Sequence, residues 1–293
     1  MQTKTATALT LLMMAAAGRL LADVLVPGSP AAGADGVVVV PSNALQRIRF
    51  QPFPVKGGGC YRLVFEARAT GAPLLENNPR VHVARFENQG LFWRWEIRQH
   101  DATNAAAGHV AATHMSVFSE AWRTYQDLFR ASRQASSATL TFEPPAQSAG
   151  LEIRNARVEP HDNGDAVNLN GDFSLGEECL AGWGSPFAAA GFRAIQGRRV
   201  YDTAYGSESA GFPLDDRLAY RVTVKRTTYG GYDAANLYLM DGGRNLKMVT
   251  VPRSGTLDFV PPAGTTWAYF KIYNTYLESA RVTPLGPKET LRN

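Results

Sequence analysis

The chain has 293 residues, with 30 Lys and Arg against 26 Asp and Glu and only two cysteines. That length holds two domains of ordinary size, each with its own core. The basic residues are scattered among acids rather than gathered in runs, which argues against a nucleic-acid partner, and the cysteines lack the paired Cys or Cys/His spacing of a zinc site.

In chain order, the first residues carry Lys4, an apolar run from Ala6 to Ala17 centred on Leu11-Leu12-Met13-Met14, and small residues before two candidate cleavage points, after Ala17 and after Ala22. This pattern predicts a secretory signal peptide over residues 1–22. The run is too short to span a bilayer as a helix, and Arg19 interrupts it. Removing Lys4 and Arg19 with the leader leaves 28 basic against 26 acidic side chains, a charge of +2. No later apolar stretch has membrane-spanning length. The expected mature protein is soluble and either secreted or held in the periplasm or cell envelope.

After a loop at 27–33, residues 37–40 form an apolar run of strand length between Gly36 and Pro41. Segments 61–67, 80–86, 91–98, 138–142 and 151–158 alternate and are rich in β-branched and aromatic residues, so each predicts a strand. Residues 117–131 read either as a helix, from the spacing of Trp122, Tyr125 and Phe129, or as a strand through Trp122-Arg123-Thr124-Tyr125. A polar, turn-prone segment, His161-Asp162-Asn163-Gly164-Asp165, marks a boundary. Beyond it, 218–226, 235–240, 246–251, 256–260, 267–273 and 277–284 predict a second series of strands. Many short strands, frequent Gly and Pro, and no βαβ rhythm predict an all-β protein of antiparallel sandwiches, one over residues 23–160 and one over 161–293.

The two series echo one another. Tyr61-Arg62-Leu63-Val64-Phe65 returns as Tyr220-Arg221-Val222-Thr223-Val224, and Ala156-Arg157-Val158-Glu159-Pro160 as Ala280-Arg281-Val282-Thr283-Pro284. A duplicated module accounts for both echoes in the same order. The first copy is the longer, with 95 positions from Tyr61 to Ala156 against 60 from Tyr220 to Ala280. Cys60 and Cys179 fall near the start of each copy. In an oxidising compartment they could join the copies as a disulfide, which requires Cα atoms within about 7 Å; two separate buried thiols fit the sequence equally well.

Asn168-Leu169-Asn170-Gly171-Asp172-Phe173-Ser174 followed by Gly182-Trp183 resembles the opening of carbohydrate-binding modules of the jelly-roll, galactose-binding-like type. Residues 61–69, then 121–125 with Phe129, then 151–158 are similar to the middle and end of the same family. The resemblance covers most of the mature chain and implies two tandem antiparallel jelly-roll β-sandwiches. It speaks to architecture more than to ligand. It also allows a structural calcium ion near the opening motif, where Asp172 is available and Ser174 stands where an acidic residue is common; its ligands are left unassigned.

Strand alternation separates the two faces of each sheet. In the second module Ala268, Phe270 and Ile272 predict a core row, which sends Trp267, Tyr269, Lys271 and Tyr273 to the other face. Leu237 and Leu239 inward leave Asn236 and Tyr238 outward, and Val222 and Val224 inward leave Arg221, Thr223 and Lys225 outward. If these strands are neighbours, their outer face combines flat rings with polar and basic heads, the combination that sugar recognition uses. A domain interface built from the same rings is the competing structural reading. In the first module Leu63, Phe65, Val81, Val83, Trp93, Trp95, Leu140 and Phe142 read as core. The outer residues there, Arg62, Glu66, His82, Arg94, Glu96, Arg98, Thr139 and Thr141, lack aromatic plates.

These observations predict a non-catalytic carbohydrate-binding protein acting on an extracellular or cell-envelope polysaccharide. Trp267, Tyr269 and Tyr273 would stack on sugars, Tyr238 would stand beside them, and Lys271, Asn236 and Arg221 would supply polar contacts with a bias toward acidic glycans. The alternative is a structural or adhesive surface protein that binds another protein through the same face. A jelly-roll polysaccharide lyase, suggested by a loose likeness of 94–98 and 269–273 to two lyase motifs, would need Arg94 and Tyr269 in one site across the predicted boundary. His100, His109 and His114 match no strong metal-ligand spacing.

Overall fold

The computed structural model describes residues 36–41, 46–70, 83–84, 93–108, 110–115, 120–144, 150–175, 181–184, 191–229 and 232–291. The expected leader, Cys179, Val81 and His82 lie outside the described residues, as does most of the strand expected at 80–86.

The chain is all-β and its strands pair antiparallel. The N-terminal half contains β1 (Val38–Val40), β2 (Ile48–Arg49), β3 (Phe53–Pro54), β4 (Cys60–Thr70), β5 (Val83–Ala84) and β6 (Trp93–His100). It continues with β7 (Ala111–Met115), β8 (Arg123–Arg130), β9 (Ser137–Glu143) and β10 (Gly150–Pro160). The C-terminal half begins with β11 (Trp183–Gly184), β12 (Gly191–Ile195), β13 (Arg198–Asp202), β14 (Ser207–Ser209) and β15 (Phe212–Pro213). Its longer strands are β16 (Leu218–Thr228), β17 (Ala234–Asp241), β18 (Arg244–Thr250), β19 (Thr256–Phe259), β20 (Trp267–Tyr273) and β21 (Thr275–Pro287). The segment with two readings, 117–131, yields strand β8, because Tyr125 and Phe129 lie against β4 at ladder positions opposite Phe65 and Tyr61.

Ladders form four sheets, in the orders β1-β10-β4-β8, β2-β9-β6-β7-β5, β11-β14-β20-β17-β18 and β12-β13-β21-β16-β19. Among the described residues, strands up to Pro160 pair only with one another, and strands from Trp183 onward do the same. Each pair of sheets closes on its own apolar core. In the N-terminal half Phe65 of one sheet lies edge-on to Trp95 and Phe142 of the other, at centroid separations of 5.4 and 5.0 Å, and stacks on Tyr125 at 5.5 Å. Such offset and edge-on contacts add to what area burial alone contributes.

Both sequence echoes fall at equivalent ladder positions. Tyr61 faces Pro160 and Leu63 faces Val158 across β4 and β10; Tyr220 faces Pro284 and Val222 faces Val282 across β16 and β21. Each tyrosine stacks on a phenylalanine of the neighbouring strand, Phe129 or Phe259. Each hydroxyl also accepts a backbone N–H from five residues upstream, that of Lys56 at 2.5 Å or Asp215 at 2.8 Å. A third echo, Phe53-Pro54 and Phe212-Pro213, meets the starts of β9 and β20 in the same register.

The motif at 168–183 is a clamp on the last strand. Buried Asn168 donates to the Ala280 carbonyl and accepts from the Val282 N–H, both at 2.7 Å. The Trp183 indole N–H reaches the Leu169 and Asn170 carbonyls. A Cβ on Gly171 would lie 2.1 Å from the Ala280 carbonyl oxygen, so only glycine fits that approach.

A buried carboxylate, Asp127, joins the two halves. Asp127 on β8 accepts the indole N–H of Trp95 at 2.9 Å, its neighbour Leu128 N–H at 2.8 Å and, from the C-terminal half, the Gly182 N–H at 2.9 Å. Gly182 has φ +75°, a conformation that presents its N–H to Asp127 without a Cβ penalty. Around this bond Cys60, Leu128, Leu169, Ala181 and Ala210 form a small apolar cluster with contributions from both halves. Arg133 pairs with Asp215, and Arg130 reaches the Gly58 and Ala166 carbonyls. Cys60 is a free thiol here, and burial pushes its pKa up to about 11.

Asp127→Ala leaves the Trp95 and Gly182 donors buried without this acceptor, at a cost of about 1–3 kcal/mol for each donor. Urea unfolding is expected to show a large loss of stability for Asp127→Ala and a smaller one for Asp127→Asn, which keeps one oxygen as acceptor.

Candidate functional site

Strand β20 alternates as its sequence predicts. Ala268, Phe270 and Ile272 are fully buried, and Trp267, Tyr269, Lys271 and Tyr273 are half-buried on the opposite face. Its neighbour β17 pairs Asn236 with Lys271, Tyr238 with Tyr269 and Met240 with Trp267, so Asn236 and Tyr238 join the same face while Leu237 and Leu239 enter the core. Six residue steps separate Trp267 from Tyr273, so the row is about 20 Å long at the strand rise of 3.2–3.4 Å.

The rings form a connected surface. Tyr269 stacks on Tyr238 at 5.0 Å across the ladder and on Trp267 at 5.7 Å along the strand. Tyr273 meets the exposed Tyr232 edge-on at 6.1 Å. Trp267 is fixed by its indole N–H, which donates to the Gly242 carbonyl at 2.7 Å. Between the two groups of rings, Lys271 is ion-paired with Glu208 of β14 at 3.0 Å and lies 5.8 Å from the Tyr273 ring centroid. Asn236 is almost fully buried, and its side-chain oxygen accepts from the Thr250 hydroxyl at 2.9 Å. Glu208 and Thr250 complete the face and are absent from the sequence-based selection. Strand β14 is three residues long, too short for a periodicity signal, although the alternation of buried Ser207 and Ser209 around Glu208 is the trace it leaves.

Arg221 is a correction. Strand β16 pairs with β19 and β21, in the sheet on the other side of the core from β20 and β17. Its outward face therefore points away from the aromatic row, and Arg221 forms a two-pronged pair with Asp258, both contacts at 2.7 Å. Alternation fixed which way Arg221 points relative to its own sheet, but not which sheet that was.

Among the described residues of the segment 229–233, Tyr232 borders the row. Tyr229 stays exposed, donates to Asp202 Oδ1 at 3.0 Å and packs on Tyr276 at 4.5 Å.

In the N-terminal half the equivalent face is charged. Thr139 and Thr141 occupy the positions of Tyr269 and Lys271, and Arg98 and Glu96 those of Tyr238 and Asn236, as the matching registers show. Glu96 is 3 % exposed and pairs with Arg98 and, at 2.7 Å, with Arg94, which also reaches Glu143 at 3.1 Å. Arg94 is thus held in a carboxylate network, and Tyr269 lies in another sheet over another core. His114 pairs in register with Arg94, six residues along β6 from His100, which sets the two backbones about 20 Å apart. His109 lies outside the described residues.

Among the described residues of the opening motif, calcium finds no fit. A hard cation takes six to eight oxygens, whereas Asn168 Oδ1, Asn170 Oδ1 and Asp172 Oδ1 each accept a backbone N–H, and Arg281 lines the same depression.

Burial raises the pKa of Tyr269 to about 12, with Glu208 adding to the effect, and burial likewise raises Tyr273. Burial opposes the charge on Lys271, but Glu208 and the Tyr273 hydroxyl hold its pKa above the ordinary lysine value. Tyr269 and Tyr273 therefore stay neutral phenols in the physiological range, and Lys271 stays charged beside Glu208.

The fold and this face define an all-β protein of antiparallel sheets that carries an aromatic-polar sheet surface. No family model matches the chain, and no curated protein matches it. Solved structures do overlap it. An enzymatically active domain of bacteriophage CBA120 tailspike protein 4 is 17% identical over 43% of this chain, with a TM-score of 0.31, and the chain spans only 15% of that protein. The tandem CBM22-1-CBM22-2 domain of Paenibacillus barcinonensis Xyn10C is 10% identical, with 85% of this chain and 90% of that one covered and a TM-score of 0.27. A family 16 carbohydrate-binding module is 15% identical over 46% of this chain and 98% of its own, with a TM-score of 0.26. Carbohydrate-binding modules recur among these neighbours, but likeness of this size assigns neither ligand nor activity. Among the described residues no helix is long and apolar enough to cross a membrane.

A phenol whose pKa is raised on folding stabilises the fold fully below its unfolded value near 10, and that contribution is lost as the pH rises through the folded value. Spectrophotometric titration is expected to show Tyr269 ionising near pH 12. Tyr269→Phe should remove one late-ionising phenol and flatten the stability loss between pH 10 and 12.

Proposed function

We propose that this is a carbohydrate-binding protein without catalytic chemistry, which holds a polysaccharide outside the cytoplasm on the β20–β17 face. The reading includes the finer architecture as well: a leader over residues 1–22 and two tandem jelly-roll sandwiches, 23–160 and 161–293. The second provides the ligand face and the first serves as scaffold.

The observation that carries it is the row Trp267, Tyr269, Tyr238 and Tyr273 on a sheet face whose other side is a dry core. Half-buried rings fixed by stacking and by the Trp267–Gly242 hydrogen bond offer apolar surface at little ordering cost, and Asn236, Thr250, Lys271 and Glu208 place donors and acceptors among them. The expected bias toward acidic glycans has no support in the charges. Lys271 is matched by Glu208, and Arg221 lies on the far side with Asp258.

The test is retention of the protein, beginning at Asp23, on immobilised polysaccharides beside Trp267→Ala and Tyr238→Ala. Each substitution is expected to weaken retention by about tenfold or more, the scale of about 1.4 kcal/mol lost at a central aromatic contact. Unchanged retention would remove the face as the site. A change in assembly state without glycan retention would point instead to an adhesive, protein-binding role.

A further inference from the structure

Where the halves meet, the structure holds a cleft of about 520 Å³, within the range of roughly 300–1,000 Å³ seen for small-ligand sites. Its walls come from both halves: Ser132 and Gln134 on one side, and Asp216, Asp241, Thr266 and Trp267 on the other. Trp267 belongs at once to this wall and to the aromatic row, so the cleft begins where the row ends.

We propose that the binding surface is composite: a neutral polysaccharide chain runs along β20 from Tyr273 to Trp267 and continues into the cleft, where Gln134 of the N-terminal half touches it. This rests on the carbohydrate reading and adds to it a second wall and a ligand class.

Charge selects the class. The two cations of the cleft, Arg133 and Arg217, both pair with Asp215, and Lys271 on the row pairs with Glu208. Asp216 and Asp241 add two further carboxylates, and Asp241 is itself paired with Arg244 at 3.2 Å, so the charged groups of the lining and this partner balance at three positive and three negative. A uronate entering here meets no net positive charge, only cations already matched by carboxylates. A neutral chain meets hydroxyls, amides and the Trp267 ring, which suit it.

The cleft is also preformed. Asp216 accepts the Gly264 N–H at 2.7 Å, and Leu214 N–H donates to the Thr266 carbonyl at 3.1 Å, which fixes the C-terminal wall. Opposite, Ala135 N–H closes a turn onto the Ser132 carbonyl at 3.0 Å and leaves Gln134 exposed at its tip. The Arg133–Asp215 pair and the Asp127–Gly182 hydrogen bond hold the two walls at a set distance. Ligands bind more tightly to walls that need no ordering.

The experiment is affinity electrophoresis of the chain from Asp23 in gels containing either neutral polymers (mixed-linkage β-glucan, xylan, galactomannan) or uronate polymers (alginate, polygalacturonate). It compares the parent with Trp267→Ala, Gln134→Ala and Gln134→Trp, all checked for thermal unfolding. Expected is retardation of the parent by a neutral polymer, a tenfold or greater loss in Trp267→Ala and in Gln134→Trp, which fills the cleft, and a smaller loss in Gln134→Ala. If Trp267→Ala loses retention while Gln134→Trp keeps it, the face stands and the cleft is refuted. Retardation by uronate polymers alone overturns the neutral class. No retardation of the folded parent by any polymer overturns the carbohydrate reading itself.

Discussion

The aromatic row and the Trp267 edge of the cleft depend on the period-two packing of β20. Ala268, Phe270 and Ile272 have no exposure, so the strand cannot slip by one residue without sending three apolar side chains to water and three rings and a lysine into the core. Burial of side chains of this size is worth roughly 1.5–3 kcal/mol each for the larger ones, far more than any single contact on the wet face. The core therefore sets the position of Trp267, Tyr269, Lys271 and Tyr273, and the aromatic-polar face inherits rigidity it does not generate itself.

The same logic links the halves. Asp127 is buried among apolar residues, where an unpaired carboxylate would be costly. Its oxygens accept from Trp95 in one core and from Gly182 at the turn leading to Trp183 in the other. Two cores that could have folded as separate bodies are thereby held in a fixed relation, and the cleft beside Trp267 follows from that relation. The echoed tyrosines, each stacked on a phenylalanine and each accepting an N–H from five residues upstream, show one local solution used twice beneath two different outer faces. Positions that carry Tyr269 and Tyr238 in one half carry Thr139 and Arg98 in the other, so the scaffold is shared and the surface chemistry is not.

Much of the architecture was legible in the residues because long strands over a dry core write their alternation into the chain. Strand β20 spans the residues that the pattern marks, and β4, β9, β10, β16 and β17 contain or closely match the predicted segments, with ladder pairing extending most of them. The short strands β11, β14 and β15 left no such pattern. Two or three residues cannot show a period, and they are strands only because a longer neighbour pairs with them. That is why Glu208, the partner of Lys271, was missing from the expected site.

The sequence by itself indicated the all-β class, the echoed segments, and which residues of β16, β17 and β20 face the core, since each of these is written in the local order of residues. Tertiary structure alone decided which strands are neighbours. It moved Arg221 to the opposite sheet and matched Lys271 with Glu208. It also gave the Asn168 and Asn170 side chains to backbone groups rather than to a cation, and brought Gln134 to the wall opposite Trp267. The physical reason is common to all four: alternation states a side chain's direction relative to its own strand, whereas charge pairing, ligation and cleft formation depend on through-space distances that only the packed chain sets.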